Sequence, residues 1–328
     1  MRKKGIVERL VIGAPSENDF SYDKLPKNRK KLFSYMLKNK FWKIYKNHFL
    51  IALFFVPLIV WNVLTLNYTN FVFGLPANEG ITHFVEHWFT VYVTAIPLWA
   101  LAFLGLAGGL NVLRKLAWSD PLIFITDFIK GIKSSGKQLA FIGFLWGTVY
   151  ALIRYAINWL GFYYRVFDNS YSVIFGIFVC FFVLILVIGY TVYAACMASL
   201  YNVTLKQLFV GAFKLYLADL FLATGVIILS LLPIAILFIT DFAIVVLLVY
   251  MLLLGLLIGL LIIPPFLMCQ HTFDRIINKK DYPAFYGKGL SYGVYESKET
   301  LEISKGVEEI IDTNETENDF ERVNDEQY

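Results

Sequence analysis

Six apolar runs alternate with polar connections along the chain, at approximately 49–66, 88–110, 138–160, 173–197, 220–239 and 242–268. A helix rises about 1.5 Å per residue, so crossing a hydrocarbon core of about 30 Å takes roughly 20 apolar residues. The pattern predicts an all-α, polytopic membrane protein with about six transmembrane helices. Pro57, Pro97, Pro233 and the Pro264-Pro265 pair lie inside these runs, where neighbouring helices can re-satisfy the freed backbone groups and kinks are expected. Only Thr240 and Asp241 separate the last two runs, which should form a tight helical hairpin.

Two polar connections carry a helical pattern of their own. Asp120 followed by Pro121 has the residue types of an N-cap and a first helical position. Beyond them Ile125, Phe128, Ile129 and Ile132 recur at helical spacing opposite Thr126, Lys130, Lys133 and Lys137. Thr204 and Gln207 make a capping box, and Leu205, Leu208, Phe209, Ala212 and Phe213 form a stripe opposite Lys206 and Lys214. Both pieces are expected to be cytoplasmic interfacial amphipathic helices, lying along the inner membrane surface with their cations toward water and phosphate. A shift of 84 residues lays Asp120 on Thr204, Lys130 on Lys214 and Gly105 on Gly189. That register fits a parallel internal repeat, and it equally fits a chance alignment of two short amphipathic connections.

Composition agrees with the pattern. Of 328 residues 58% are hydrophobic and 16% charged, and the mean hydropathy is +0.62. One soluble core does not need that much apolar surface. No early apolar core or small-residue cleavage site precedes the first run, so insertion is expected to begin with that run.

Charge sets the expected orientation. If the six runs cross alternately, 27 of the 29 Lys and Arg residues fall on one side, leaving Arg154 and Arg165 on the other. By the preference for cytoplasmic cations, both termini should be cytoplasmic, in a bacterial plasma membrane. The expected organisation is a basic cytoplasmic segment 1–47, a six-helix membrane domain 48–270, a membrane-proximal segment 271–295 and an acidic tail 296–328. The tail holds 12 acids against Lys298, Lys305 and Arg322, a composition that predicts disorder. The N-terminal cations are attracted to anionic inner-leaflet lipid at about 1 kcal/mol each near the surface, and read first as an ordinary topogenic flank. The expected partners are the bilayer and its anionic lipid; no nucleic acid is implied.

Candidate chemistry is sparse. Cys180, Cys196 and Cys269 lack metal-type spacing and read as apolar filler. His83, Glu86 and His87 on one helical turn, with Glu79 upstream, are the metal candidates. Their order lacks the Glu directly after the first His that zinc proteases use, and an interfacial turn leading to Trp88 is the reading preferred. Arg154 is an intramembrane charge, expected to snorkel to the outer surface rather than contact a substrate. Asp219 is placed to pair with Lys214 or Arg114 and equally fits a solvated boundary residue, and Asp241 belongs to the outer turn. No phosphate loop, dinucleotide fingerprint or converging set of titratable groups is present, so no catalytic residue, cofactor or enzyme activity is expected. Asn62, Gln138, Thr148, Tyr150, Asn158, Thr191 and Tyr193 are the groups that could handle a neutral solute.

Three stretches carry a family likeness: Gly105-Leu-Ala-Gly-Gly-Leu-Asn-Val-Leu-Arg-Lys-Leu, the Phe128-Ile-Lys-Gly-Ile-Lys run leading to Lys137-Gln138, and Tyr201-Asn-Val-Thr-Leu-Lys-Gln-Leu-Phe-Val-Gly-Ala-Phe-Lys. Over roughly residues 88–268 the chain resembles the YesL-like family of bacterial multi-pass membrane proteins. The resemblance implies an accessory or regulatory role beside carbohydrate uptake or utilisation, and supplies no catalytic residues. Lys130, Lys133, Lys137, Lys206 and Lys214 are the candidates for docking a partner such as a membrane transport complex, with a small solute transporter or channel as the alternative.

Overall fold

The computed structural model describes residues 25–167, 170–239 and 243–291. The first 24 residues, the Thr240-Asp241 turn and the acidic tail lie outside the described residues. Within them the chain is helical, in the order α1 (Arg29–Gly74), α2 (Ala77–Trp88), α3 (Ile96–Trp118), α4 (Phe124–Phe167), α5 (Ser170–Leu200), α6 (Leu205–Ala218), α7 (Leu220–Ile239), α8 (Ala243–Leu252) and α9 (Ile258–Phe273). Single π turns join α2 to α3 (Phe89–Val93), join α8 to α9 (Leu253–Leu257) and follow α9 (Asp274–Asn278).

Four stretches, Arg29–Leu66, Thr82–Trp118, Phe124–Tyr164 and Tyr171–Leu200, are long and apolar enough to cross a membrane. The number rises to six if two bent pairs count as one span each, α6 with α7 at 94° and α8 with α9 at 63°. The fold is thus that of an all-α, membrane-embedded protein. Both ends of the described chain meet at one end of the bundle. Arg29 bonds Asp274 at 2.6 Å, and the Ser291 N–H donates to Pro26 O at 3.2 Å.

Small residues let the helices approach. Gly131 of α4 sits where a Cβ would come within 2.7 Å of Ala107 O on α3, and Gly143 where one would come within 2.8 Å of Trp99 O. Elsewhere a large side chain fills the space: Phe54 lies on Gly105, Ile51 on Gly109 and Phe128 on Gly108. In lipid there is little hydrophobic drive between helices, so this close, dry packing supplies the cohesion.

Several local expectations need correction. The helix expected over 121–137 is not a separate surface element but the first part of α4, continuous with the third span and packed on α3 through Phe128 and Gly131. Its cap is not Asp120. Ser119 takes a left-handed conformation (φ 57°) that ends α3, residues 120–123 form a non-helical link, and the Asp127 carboxylate accepts the Ile123 N–H at 2.8 Å. The Asn111 amide donates to Asp127 O at 2.7 Å and Lys115 pairs with the Asp127 carboxylate at 2.7 Å, so tertiary contacts choose the start. Polar residues before 49 do not end the first helix either. It begins at Arg29, runs through a non-helical point at Lys40 (φ −122°) and continues into the first span. By contrast α6 is a separate helix, and its Thr204–Gln207 capping box is formed. The 84-residue register therefore pairs an unbroken helix, α4, with a bent pair, α6 and α7.

Candidate functional site

The end of the bundle where the termini meet holds a buried polar cluster. Gln270, Asp274 and Asn278 recur every four residues and so share one face of α9 and the π turn after it. All three are at most 5% exposed. Asp274 accepts from Arg29 Nε at 3.2 Å and Nη2 at 2.6 Å, while Arg29 Nη1 donates to Lys288 O at 3.2 Å. Asn278 Nδ2 donates to the other Asp274 oxygen at 2.8 Å, and the Tyr201 hydroxyl donates to Asn278 Oδ1 at 2.6 Å. Burial and the nearby Asp274 carboxylate push the Tyr201 phenol well above its ordinary pKa. One chain of bonds thus ties α1, α9, the α5–α6 link and the C-terminal segment together.

Gln270 stands at the wall of a small cleft with Arg29, Trp118, Tyr201, Asn278 and Phe285. Neither of its amide atoms has a protein partner. The free space admits roughly one water, the natural partner for a buried amide. Phe285 closes the cleft by stacking on Trp118 at 5.3 Å. The arrangement can hold a water and clamp helices; it contains no nucleophile and base in contact.

Around this cluster lies a basic surface. Lys130, Lys133 and Lys137 on α4 and Lys206 and Lys214 on α6 are all exposed. Gln138 Nε2 donates to Val203 O at 2.7 Å in the link before α6, and the Phe141 and Phe209 rings meet at 6.1 Å, so α4 touches α6 near its start. The five docking candidates therefore lie on the first part of α4 and on α6, which meet near the start of α6. Asp219 neither pairs with Lys214 or Arg114 nor stays solvated. It accepts from Arg275 at 2.5 Å and from Thr272 at 2.6 Å, because the bend between α6 and α7 turns it toward α9. Arg114 bonds Asn111 Oδ1 at 2.6 Å and Ser199 O at 3.3 Å instead.

At the opposite end the candidate metal residues part. His83 and Glu86 stay exposed, 3.7 Å apart, whereas His87 turns inward and its Nε2 bonds the Thr69 hydroxyl at 3.0 Å. Among the described residues no group of three or more His, Cys, Asp or Glu side chains could hold a metal ion. Arg154 does not reach for the surface alone. Its guanidinium turns onto α3's approach, 3.0 Å from the Tyr92 hydroxyl and over the Tyr92 ring at 5.4 Å. The solute candidates do not converge. Asn62, Thr148 and Thr191 bond carbonyls one turn back on their own helices, and Tyr193 bonds Thr272.

Sequence reasoning missed the Arg29–Asp274–Asn278–Tyr201 chain. Arg29 was hidden among basic neighbours of a topogenic flank, and the four-residue spacing of Gln270, Asp274 and Asn278 was the one available signal. No family model, curated protein or solved structure matches the chain.

Proposed function

We propose that the protein is an accessory or regulatory component of the bacterial plasma membrane, with both ends in the cytosol and no reaction of its own. It docks a partner at the inner surface through Lys130, Lys133, Lys137, Lys206 and Lys214. The observation that carries this reading is the contrast between surface and interior. The lysines stand exposed on two helices whose other faces are packed. The hydroxyls and amides of Asn62, Thr148 and Thr191 are committed to backbone carbonyls, the unpartnered amide atoms of Asn158 and Gln270 sit on separate helices and far apart in sequence, and bulky side chains fill several glycine gaps. A path for solute needs unengaged polar groups facing a shared space. The likeness of residues 88–268 to the YesL-like family supports a sugar-uptake complex as the partner.

Crosslinking from these lysines in native membranes tests the reading. Recovery of a transport-complex subunit is the expected result. No partner from native membranes, together with solute flux in liposomes holding the purified protein, would replace it with the transporter reading. One observation favours that second reading: Arg154 lies inside the bundle against Tyr92, and an ionisable group there is a substrate or ion contact by default.

A further inference from the structure

Lys130, Lys133 and Lys137 form a stripe of like charge on one face of α4, at intervals of three and four residues. The helix from 128 to 167 contains no Asp or Glu, and neither does α6, which carries Lys206 and Lys214. Among the described residues, the ion pairs of this end join Arg29 to Asp274, Lys115 to Asp127, Arg275 to Asp219 and Lys288 to Asp120, and none reaches the stripe.

The counter-charge lies further along the chain. Residues 296–328 carry a net of −9 while the whole chain is +4, so the residues before 296 carry +13. The structure fixes where the acidic segment departs. Leu290 is fully buried and the Ser291 N–H is bonded to Pro26 O. Lys288 lies 3.3 Å from the Asp120 carboxylate and over the Trp118 ring at 4.7 Å. Asp120 belongs to the link that leads into α4, so the root of the acidic segment stands near the start of α4, about 9 Å of helix before Lys130. Phe124 to Lys137 spans about 20 Å of helix, and the chain from Ser291 to Glu302 reaches up to about 38 Å when extended.

We propose that the acidic C-terminal segment of this chain occupies the α4 stripe, with Glu296, Glu299 and Glu302 against Lys130, Lys133 and Lys137. Each exposed pair is weak and screened by salt. Tethering raises the effective concentration to about the millimolar range, which makes several weak pairs sufficient. The contact stands on charge and chain geometry alone. Its consequence rests on the docking reading above: an acidic partner must displace the segment, which makes it a built-in competitor.

The full-length chain in discs of zwitterionic lipid, treated with a zero-length carbodiimide, tests the contact without any partner. Peptide mapping should find Glu296, Glu299 and Glu302 joined to Lys130, Lys133 and Lys137 at low salt, with the yield falling several-fold in 0.5 M salt. The E296Q/E299Q/E302Q chain should acetylate those lysines at least about threefold faster, the effect of one exposed ion pair, while Lys115 is unchanged. Crosslinks spread evenly over Lys279, Lys280 and other exposed lysines would overturn the proposal. Unchanged acetylation would do so too, as would mixed isotope-labelled copies in which the links run between molecules. Partner capture plays no part in these readouts, so failure here leaves the docking reading standing, and failure of docking leaves this contact intact.

Discussion

Substituting Asp274→Asn should destabilise the bundle by removing one half of a buried charge pair. The side chains of Arg29 and Asp274 are each 6% exposed, and the carboxylate receives two guanidinium nitrogens and the Asn278 amide. Removing one partner of a buried pair leaves the other charge desolvated, which costs about 3–5 kcal/mol. Arg29→Met should cost a comparable amount, and the Arg29→Met/Asp274→Leu double variant much less than the sum, since an apolar pair of similar volume often matches a buried ion pair. Cys196 and Cys269 are buried in the core, so a fluorogenic maleimide reports unfolding directly, and Cys180→Ser removes the half-buried background thiol. At about 2–4 °C per kcal/mol, each single variant should lower the midpoint by roughly 10 °C, with little dependence on salt. Midpoints within about 2 °C of the parent, or strictly additive losses in the double variant, would refute the view that this pair clamps α1 to α9.

The same thiol assay checks packing at the α3–α4 seam: Gly131→Val should cost about 1–3 kcal/mol or more, whereas Gly161→Ala, with nothing within 4 Å of its added Cβ, should be neutral. Tyr92→Phe removes the hydroxyl acceptor of Arg154 and should cost about 1–3 kcal/mol, while Tyr171→Phe, at a position 88% exposed, should change little. Orientation is checked with single cysteines in a background lacking the natural three. Glu79→Cys should react with a membrane-impermeant maleimide in intact cells and Lys130→Cys only after permeabilisation, and the reverse pattern would invert the proposed topology.

What sequence made legible was mostly local. The Thr204–Gln207 capping box needs residues three apart, and it forms as read. Apolar length alone gave the helical, membrane-embedded class. Asp120 failed as a cap because the start of α4 is chosen by partners that sequence does not place beside it: Lys115 and Asn111 of α3 fix Asp127, and Asp127 caps the Ile123 N–H. Arg29 failed to stand out because its neighbours Lys27, Lys30 and Lys31 share its charge while only Arg29 is buried. The depth of Arg154 along its helix follows from counting residues, but its rotation toward Tyr92, 62 residues away, depends on how α4 packs against the segment before α3. Burial of a charge is a property of packing, and polarity patterns report it only after the partner is known.

The π turns explain why the polar groups sit where they do. A π turn widens the helix by one residue and leaves carbonyls short of their usual N–H partners, a cost that is high in an apolar bundle. Each turn in the described chain is met by side chains from elsewhere. Trp61 donates to Val91 O at 3.1 Å in the first turn, and Tyr92 of that turn receives Arg154. His48 Nε2 lies 2.7 Å from Leu254 O in the second, while its Nδ1 accepts the Gly259 N–H just beyond at 3.0 Å. In the third, Asp274 and Asn278 are the ends of the turn itself and take Arg29 and Tyr201. Gly259 lets His48 come that close, since its missing Cβ would meet the His48 side chain. The second and third turns both receive groups from α1, at His48 and Arg29. The long first helix is therefore the brace against which the last helix is set, and the basic end inherits its rigidity from that brace.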